Sequence, residues 1–145
     1  MFERILIAVD GSEGSKKALR LASKLQQTCG GNLMVLTVFR HHSLLEASMS
    51  MVRPDEPESL DDSMRNYAKE VAEDAKAIAA EAGAGNVRAF VKAGQPARTI
   101  VKFAEEHEAD LIIVGSRGLG DMQGFLLGSV SHKVTSLASI PVMVV

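Results

Sequence analysis

Short apolar runs alternate with longer amphipathic segments, and this alternation constrains the fold more than any other feature of the sequence. Five runs have the length of a β-strand: Glu3–Val9, Asn32–Phe39, Val87–Ala93, Asp110–Ser116 and Ile140–Val145. Within them, ILIAV, LIIVG and VMVV are almost uninterrupted. Such runs are typical of strands covered on both faces, as in a parallel sheet between layers of helices.

Helical periodicity fills the intervals between these runs. The predicted helices extend over about Ser12–Cys29, about Asp61–Ala82, from Pro96 to just before Asp110, and over about Ser129–Ala138. Their predicted buried stripes are Ala18, Leu21, Ala22 and Leu25 in the first, Met64, Tyr67, Val71, Ala75, Ile78 and Ala82 in the second, and Ala97, Ile100, Val101 and Ala104 in the third. Because strands and helices alternate, we predict an α/β fold, a three-layer doubly wound domain around a five-stranded parallel sheet in the order 3-2-1-4-5. The length suits a single domain, residues 1–145.

One connection is much longer than is usual in such a fold. Residues 40–59 carry two prolines and show no sustained period, whereas connections in α/β units usually have roughly 2–6 residues. We interpret residues 40–60 as a mobile insertion. Two roles stay open for it, a loosely packed excursion or a lid or partner surface.

Charge and hydropathy exclude several classes of function. The net charge of −2 comes without a basic run, which argues against nucleic acid as a partner. No apolar run approaches the roughly 20 residues that span a bilayer, and a strand pattern follows Met1 without the architecture of a signal peptide. We therefore predict a cytoplasmic protein without membrane insertion.

Ligands of open α/β sheets bind beyond the carboxyl ends of the strands, where the strand order reverses. The ends that would share this crevice are Ala8–Ser12, Thr37–Phe39 and Val114–Gly118. Five glycines lie between Gly115 and Gly128, directly after the fourth strand. Because each glycine costs conformational entropy, such a cluster indicates unusual backbone angles or the close approach of another group.

This glycine cluster has the features of an anion site. Gly115 and Gly118 are expected to turn the backbone sharply, and Gly128 with Ser129 to open a helix whose first N–H groups attract negative charge. The candidate side-chain donors to a polyphosphate are Arg117, Ser129 and Ser131. The sequence contains no GxxxxGK[ST] motif and no GxGxxG after its first strand, which excludes the P-loop and the dinucleotide fingerprint.

The spacing of the glycines resembles a family signature. Gly115-x-x-Gly118, nine residues and then Gly128-Ser129 match the G-2x-G-9x-G-[S/T] pattern of the nucleotide-binding branch of the universal stress protein family. ILIAVDGS, GQPARTIV, ADLIIVGSRG and IPVMVV are similar to that family in the same order, so the likeness spans nearly the whole chain. HHSLLEAS and SMVRP, in the long connection, further resemble the members that accompany TRAP-type solute transporters.

The resemblance implies an adenine nucleotide alpha hydrolase-like fold that binds ATP, with Mg²⁺ bridging the phosphates. It implies that Asp10 lies near the ribose or adenine and that the backbone of Val38 meets the adenine edge. The candidate cofactor-binding residues are Ala8, Val9, Asp10, Val38, Val114, Gly115, Arg117, Gly118, Gly128, Ser129, Val130 and Ser131. From the residues alone, Asp10 is also explained as a capping or turn aspartate before Gly11. Metal ligands stay unknown, because no dedicated carboxylate cage is visible.

Three functions follow from these features. We predict an ATP-binding regulatory or stress-response protein, and the resemblance extends this role to the regulation of a solute transporter. The alternative is a slow ATP-hydrolysing enzyme, whose water-positioning residue would be Asp121 or Gln123. A third interpretation is a scaffold that associates through an edge strand whether or not nucleotide is bound. No residue is assigned as catalytic.

The last strand is predicted to lie at an edge of the sheet. It has no lysine, and its proline, Pro141, lies at its start, so its unpaired backbone groups invite pairing with another chain. Two copies that meet antiparallel about a two-fold axis satisfy both edges, and the resemblance implies the same arrangement. We predict a homodimer, or a higher oligomer built on it, with Val142, Val144 and the adjoining helix in the interface. The alternative is an edge shielded by its own helix.

Overall fold

Strands and helices alternate through the residues that this computed structural model describes, 1–40, 57–118 and 127–145. The elements are β1 (Arg4–Ala8), α1 (Glu13–Cys29), β2 (Asn32–Phe39), α2 (Pro57–Glu81), β3 (Val87–Ala93), α3 (Pro96–Glu106), β4 (Leu111–Val114), α4 (Ser129–Leu137) and β5 (Val142–Val144). The interpretation of residues 40–60 as a mobile insertion falls mainly on residues outside this description. For residues 57–60 it is wrong, because they form the start of α2, which begins at Pro57 and not at the predicted Asp61.

The five strands form one parallel sheet in the order β3-β2-β1-β4-β5, as predicted. β1 lies at the centre, where Ile5 is the register partner of Leu33 in β2 and of Leu111 in β4. The chain moves outward from β1 to β3 and then returns to β4 on the other side of β1. The strand order therefore reverses between β1 and β4, and the crevice lies beyond their carboxyl ends.

Each face of the sheet carries its own core. Ile5 and Ile7 belong to the cluster formed with α1 and α2, whereas Leu6 and Ile112 belong to the cluster formed with α3 and α4. This division follows from the alternation of side chains along a strand. All four side chains have no exposed surface, and full burial of one such side chain contributes roughly 1.5–3 kcal/mol. None of the helices within the described ranges is long and apolar enough to cross a bilayer.

Local signals in the sequence set the helix ends near the crevice. The hydroxyl oxygen of Ser12 accepts a hydrogen bond of 3.2 Å from the N–H of Ser15 and caps α1. The side-chain oxygen of Gln95 accepts one of 2.8 Å from the N–H of Arg98 and caps α3. Both helices therefore begin where the sequence predicts, with their first N–H groups partly satisfied by a side chain.

Two of the predicted core positions are wrong. Tyr67 in α2 is 57% exposed and Leu21 in α1 is 42% exposed. The buried face of α2 keeps two residues of the predicted stripe, Val71 and Ala75, and also includes three alanines, Ala68, Ala72 and Ala79. The buried face is therefore only partly the predicted one.

Candidate functional site

A cavity of about 260 Å³ opens beyond the carboxyl ends of β1, β2 and β4. Every predicted site residue except Gly128 lines it: Ala8, Val9, Asp10, Val38, Val114, Gly115, Arg117, Gly118, Ser129, Val130 and Ser131. Residues from all three strand ends that the crevice rule selected are therefore brought together in space.

Further residues that the sequence did not indicate also line the cavity, namely Ser15, Leu36, Arg40, Pro96 and Ile100. Leu36 lies two residues before Val38, on the same face of β2, so the strand alternation was a usable signal. Ile100 was predicted as a core residue and is indeed buried. Its second role as a wall of the cavity depends on how α3 lies against β2, which the sequence does not state.

The cavity combines apolar surface with a few charged groups. Leu36 and Ile100 belong to the core cluster on this face, and Val38 packs against it. Arg40 and Arg117 are exposed at the same cavity, so two guanidinium groups bring positive charge to it. A cavity of this kind suits a ligand that has both an apolar part and an anionic group.

Asp10 stabilises the turn that leads from β1 into α1. Its Oδ1 accepts a hydrogen bond of 2.9 Å from the N–H of Ser12, and its own N–H donates to Oγ of Ser15 at 3.3 Å. Gly11 has a φ of +87°, a conformation that favours glycine. Asp10 is thus the turn residue that the sequence offered as one explanation, and it also lines the cavity.

Gly115 allows a close approach between two backbones. The chain bends directly after it, at Ser116 and Arg117, while the φ of Gly115 itself lies outside the left-handed region. A Cβ atom at Gly115 would lie 3.2 Å from the carbonyl carbon and oxygen of Gly14. A Cβ atom at Gly14 would lie 2.8 Å from the carbonyl oxygen of Arg117. These glycines let the first turn of α1 pack directly on the chain that leaves β4.

We expect Gly14→Ala to destabilise the protein by about 1 kcal/mol. Overpacking typically costs about 1–3 kcal/mol, which exceeds the roughly 0.4–1 kcal/mol that Gly→Ala gains where the backbone permits it. Urea unfolding measures the difference. The matched control is Gly85→Ala, because a Cβ atom at Gly85 meets no atom within 4 Å. A Gly14→Ala protein as stable as the control would contradict the close approach.

The start of α4 faces the cavity without a side-chain cap. Gly128 is the N-cap residue, with φ −74° and ψ 169°, and no side-chain hydrogen bond caps the helix within the described part of the chain. Ser129 and Val130, the first residues of α4, line the cavity. Their N–H groups belong to the first turn of the helix, where a partial positive charge attracts anions. The predicted opening of this helix by Gly128 and Ser129 is confirmed.

Ser131 lines the cavity, but its hydroxyl proton is used within the protein. Oγ of Ser131 donates to the carbonyl oxygen of Ser116 at 3.0 Å and to that of Gly128 at 3.1 Å. A hydroxyl has one proton, and carbonyl oxygens only accept. In this arrangement Ser131 is therefore not the phosphate donor that the sequence suggested. Ser129, which is exposed, keeps that prediction.

The fold and the cavity define a doubly wound α/β protein with a cavity at the reversal of strand order. Residues 1–145 match the universal stress protein family, and the chain belongs to that family.

Individual relatives agree with this assignment over their full length. Universal stress protein YxiE of Bacillus subtilis is 38% identical, over 100% of this chain and 99% of the relative. The structure of universal stress protein UspA from Lactobacillus plantarum is 26% identical, with a TM-score of 0.83 over 99% of this chain and 97% of that chain. The universal stress protein from Archaeoglobus fulgidus in complex with dAMP is 25% identical, with a TM-score of 0.70 over 98% and 96%. The predicted family and fold are confirmed.

Proposed function

We propose that this chain binds an adenine nucleotide, ATP in particular, in the cavity at the carboxyl edge of the sheet. The observation that carries the proposal is the combination, in one cavity, of an apolar wall, two arginines and a helix start that has no side-chain cap among the described residues. The Archaeoglobus fulgidus relative is known in complex with dAMP, which supports the adenine nucleotides as the class of ligand.

The two kinds of surface suggest how the nucleotide lies. The purine ring would pack against Leu36, Val38 and Ile100, where it gains apolar contact. The phosphates would lie at Arg117 and the start of α4. Each anionic contact with a helix N-terminus contributes about 0.3–1 kcal/mol, and up to about 2 kcal/mol when it is partly buried.

Mg²⁺ is proposed to accompany the phosphates. Within the described residues, no three His, Cys, Asp or Glu side chains lie together in a way that could hold a metal ion. Mg²⁺ commonly relies on substrate phosphates, water and one or two carboxylates, and Asp10 is a carboxylate at this cavity. The ion would supply charge neutralisation for the phosphates.

A regulatory role with little turnover is favoured over catalysis. Hydrolysis requires a group that positions water near the terminal phosphate. The two candidates from the sequence, Asp121 and Gln123, lie outside the described residues, and the carboxylate of Asp10 at the cavity accepts a hydrogen bond from the N–H of Ser12 through Oδ1. Regulation of a TRAP-type transporter depends on the long connection and stays a prediction, as does the cytoplasmic location.

Two copies are proposed to associate through β5. This strand pairs with β4 on one side and forms one edge of the sheet order. A strand with one unpaired row of backbone groups is a template for another strand. Antiparallel pairing of β5 with β5 about a two-fold axis would give a closed homodimer.

ATP with Mg²⁺ is expected to raise the melting temperature. A ligand at 100 times its dissociation constant stabilises the folded state by about 2.7 kcal/mol, which corresponds to roughly 5–11 °C for a domain of this size. Differential scanning fluorimetry with ATP, GTP and tripolyphosphate measures the shift and its base dependence. The absence of a shift at millimolar ATP, together with no heat of binding in calorimetry, would contradict nucleotide binding. Stoichiometric retention of intact ATP favours the regulatory role, whereas product formation that scales with protein favours the enzyme.

A further inference from the structure

The chain that leaves β4 is joined to the start of α4 at the carbonyl oxygen of Ser116. This oxygen accepts hydrogen bonds from the N–H of Gly128 and from Oγ of Ser131. The N–H of Ser116 in turn donates to the carbonyl oxygen of Val145 at 2.7 Å. Ser116 is thus held on one side by the residue after β5 and on the other by the first turn of α4.

Within this junction, Ser131 supplies a side-chain hydrogen bond that can be removed without touching the backbone. Its side chain is only 3% exposed, and its hydroxyl lies between the carbonyl oxygens of Ser116 and Gly128. The residues directly before it, Ser129 and Val130, line the cavity. The hydroxyl therefore fixes the first turn of α4 relative to the chain segment that carries Arg117.

We propose that Ser131 is a positioning residue that makes this cavity selective for phosphate-bearing nucleotides over the bare nucleoside. The proposal rests on the proposed nucleotide binding at the same site. Ser131 acts indirectly, by fixing the orientation of the N–H groups at the start of α4. These N–H groups and the guanidinium group of Arg117 must be directed at the same phosphate groups if both are to bind one nucleotide. Its hydroxyl proton goes to Ser116 and Gly128 and not to the ligand.

The effect should be confined to the phosphate end of the ligand. The apolar wall is formed by Leu36 and Val38 of β2 and by Ile100 of α3, none of which takes part in the junction. Loss of the hydroxyl would leave the N–H of Gly128 as the remaining described donor to Ser116. The start of α4 would then be less well aligned with Arg117, while the purine surface would be unchanged.

The test compares ATP with adenosine in the full-length protein. We expect Ser131→Ala to weaken ATP binding about tenfold, which corresponds to about 1.4 kcal/mol, and to change adenosine binding less than about twofold. Isothermal titration calorimetry with Mg²⁺ gives the ATP constant, and displacement of ATP gives the adenosine constant. Ser131→Thr keeps a hydroxyl that can bond the carbonyl of the preceding turn, and recovery of ATP affinity in this variant supports the proposal.

A matched control lies on the same helix. Oγ of Ser136 donates to the carbonyl oxygen of His132 at 3.1 Å on the exposed side of α4, so Ser136→Ala should bind ATP as the unmodified protein does. Unchanged ATP affinity in Ser131→Ala overturns the proposal, and so does an equal loss for ATP and adenosine, which would indicate a merely structural role. If the unmodified protein binds neither ATP nor adenosine, the proposed function itself fails, which is a distinguishable result.

Discussion

Gly118→Val is expected to abolish ATP binding while the protein stays folded. Gly118 lines the cavity beside Arg117, on the chain that leaves β4 toward the crevice. Valine adds a branched side chain where the phosphates are proposed to lie, and it also restricts the backbone angles of this segment. We expect at least a 100-fold loss of affinity, which corresponds to about 2.7 kcal/mol. This loss is larger than that expected for Ser131→Ala because the side chain occupies the ligand space itself.

Calorimetry with ATP and Mg²⁺ measures this loss, and far-UV circular dichroism reports on the fold. Gly85→Val is the matched control, because a Cβ atom at Gly85 has open space around it and its φ lies outside the left-handed region. The control should bind ATP with unchanged affinity. A Gly118→Val protein that binds ATP like the control would show that the phosphates do not lie at this segment.

Substitution of a second glycine of the same signature, Gly128, is expected to weaken ATP binding by a different mechanism. Gly128 is buried, does not line the cavity and donates its N–H to the carbonyl oxygen of Ser116. Gly128→Val is therefore expected to weaken ATP binding by displacing the start of α4 and not by filling the ligand space. Thermal unfolding of the two variants without ligand separates these routes, because Gly128→Val should lower the melting temperature more than Gly118→Val does.

The strand order and most element bounds could be predicted because the hydrophobic pattern is strongly periodic. β2 and β3 have the predicted bounds, Asn32–Phe39 and Val87–Ala93. β4 is shorter than predicted and comprises Leu111–Val114. From Gly115 onward the chain packs against the first turn of α1. Such a close approach is a tertiary event that the local pattern does not contain.

The location of the candidate site was predictable, whereas the roles of individual residues were not. The rule on carboxyl ends selects three strand ends, and residues from each of them line one cavity. The role of Ser131 depends on which acceptors lie near its hydroxyl after folding, and the nearest ones are carbonyl oxygens of the protein. The only sequence feature that relates Arg40 to the site is its place directly after β2. Its position at the cavity could therefore be recognised only in the structure.

The outer edge of β5, which pairs with no other strand among the described residues, presents the backbone groups of alternate residues. The carbonyl oxygen of Pro141 accepts from Ile112, and the N–H of Val145 donates to Val114, so these groups point toward β4. Because hydrogen-bonding residues alternate along a parallel pair, the N–H and C=O groups of Val144 point away from β4. The side chain of Val144 packs against the core of α3 and α4. A substitution that changes its backbone donor is thus a sharper test of strand pairing than one that places a charge in the core.

Val144→Pro is expected to convert the proposed homodimer into a folded monomer. Proline has no N–H, and its ring would stand where a partner strand must approach, yet it is tolerated at strand edges whose N–H groups face solvent. Since a two-fold interface contains the residue twice, each dimer loses two donors, about 1–3 kcal/mol, in addition to the steric conflict of two rings. Val144→Thr keeps both the N–H and the approximate shape of the side chain, so it should remain dimeric. Sedimentation velocity at matched micromolar concentrations measures both variants. A monomeric unmodified protein, or a Val144→Pro protein that sediments as the same dimer, would place any association elsewhere than at β5.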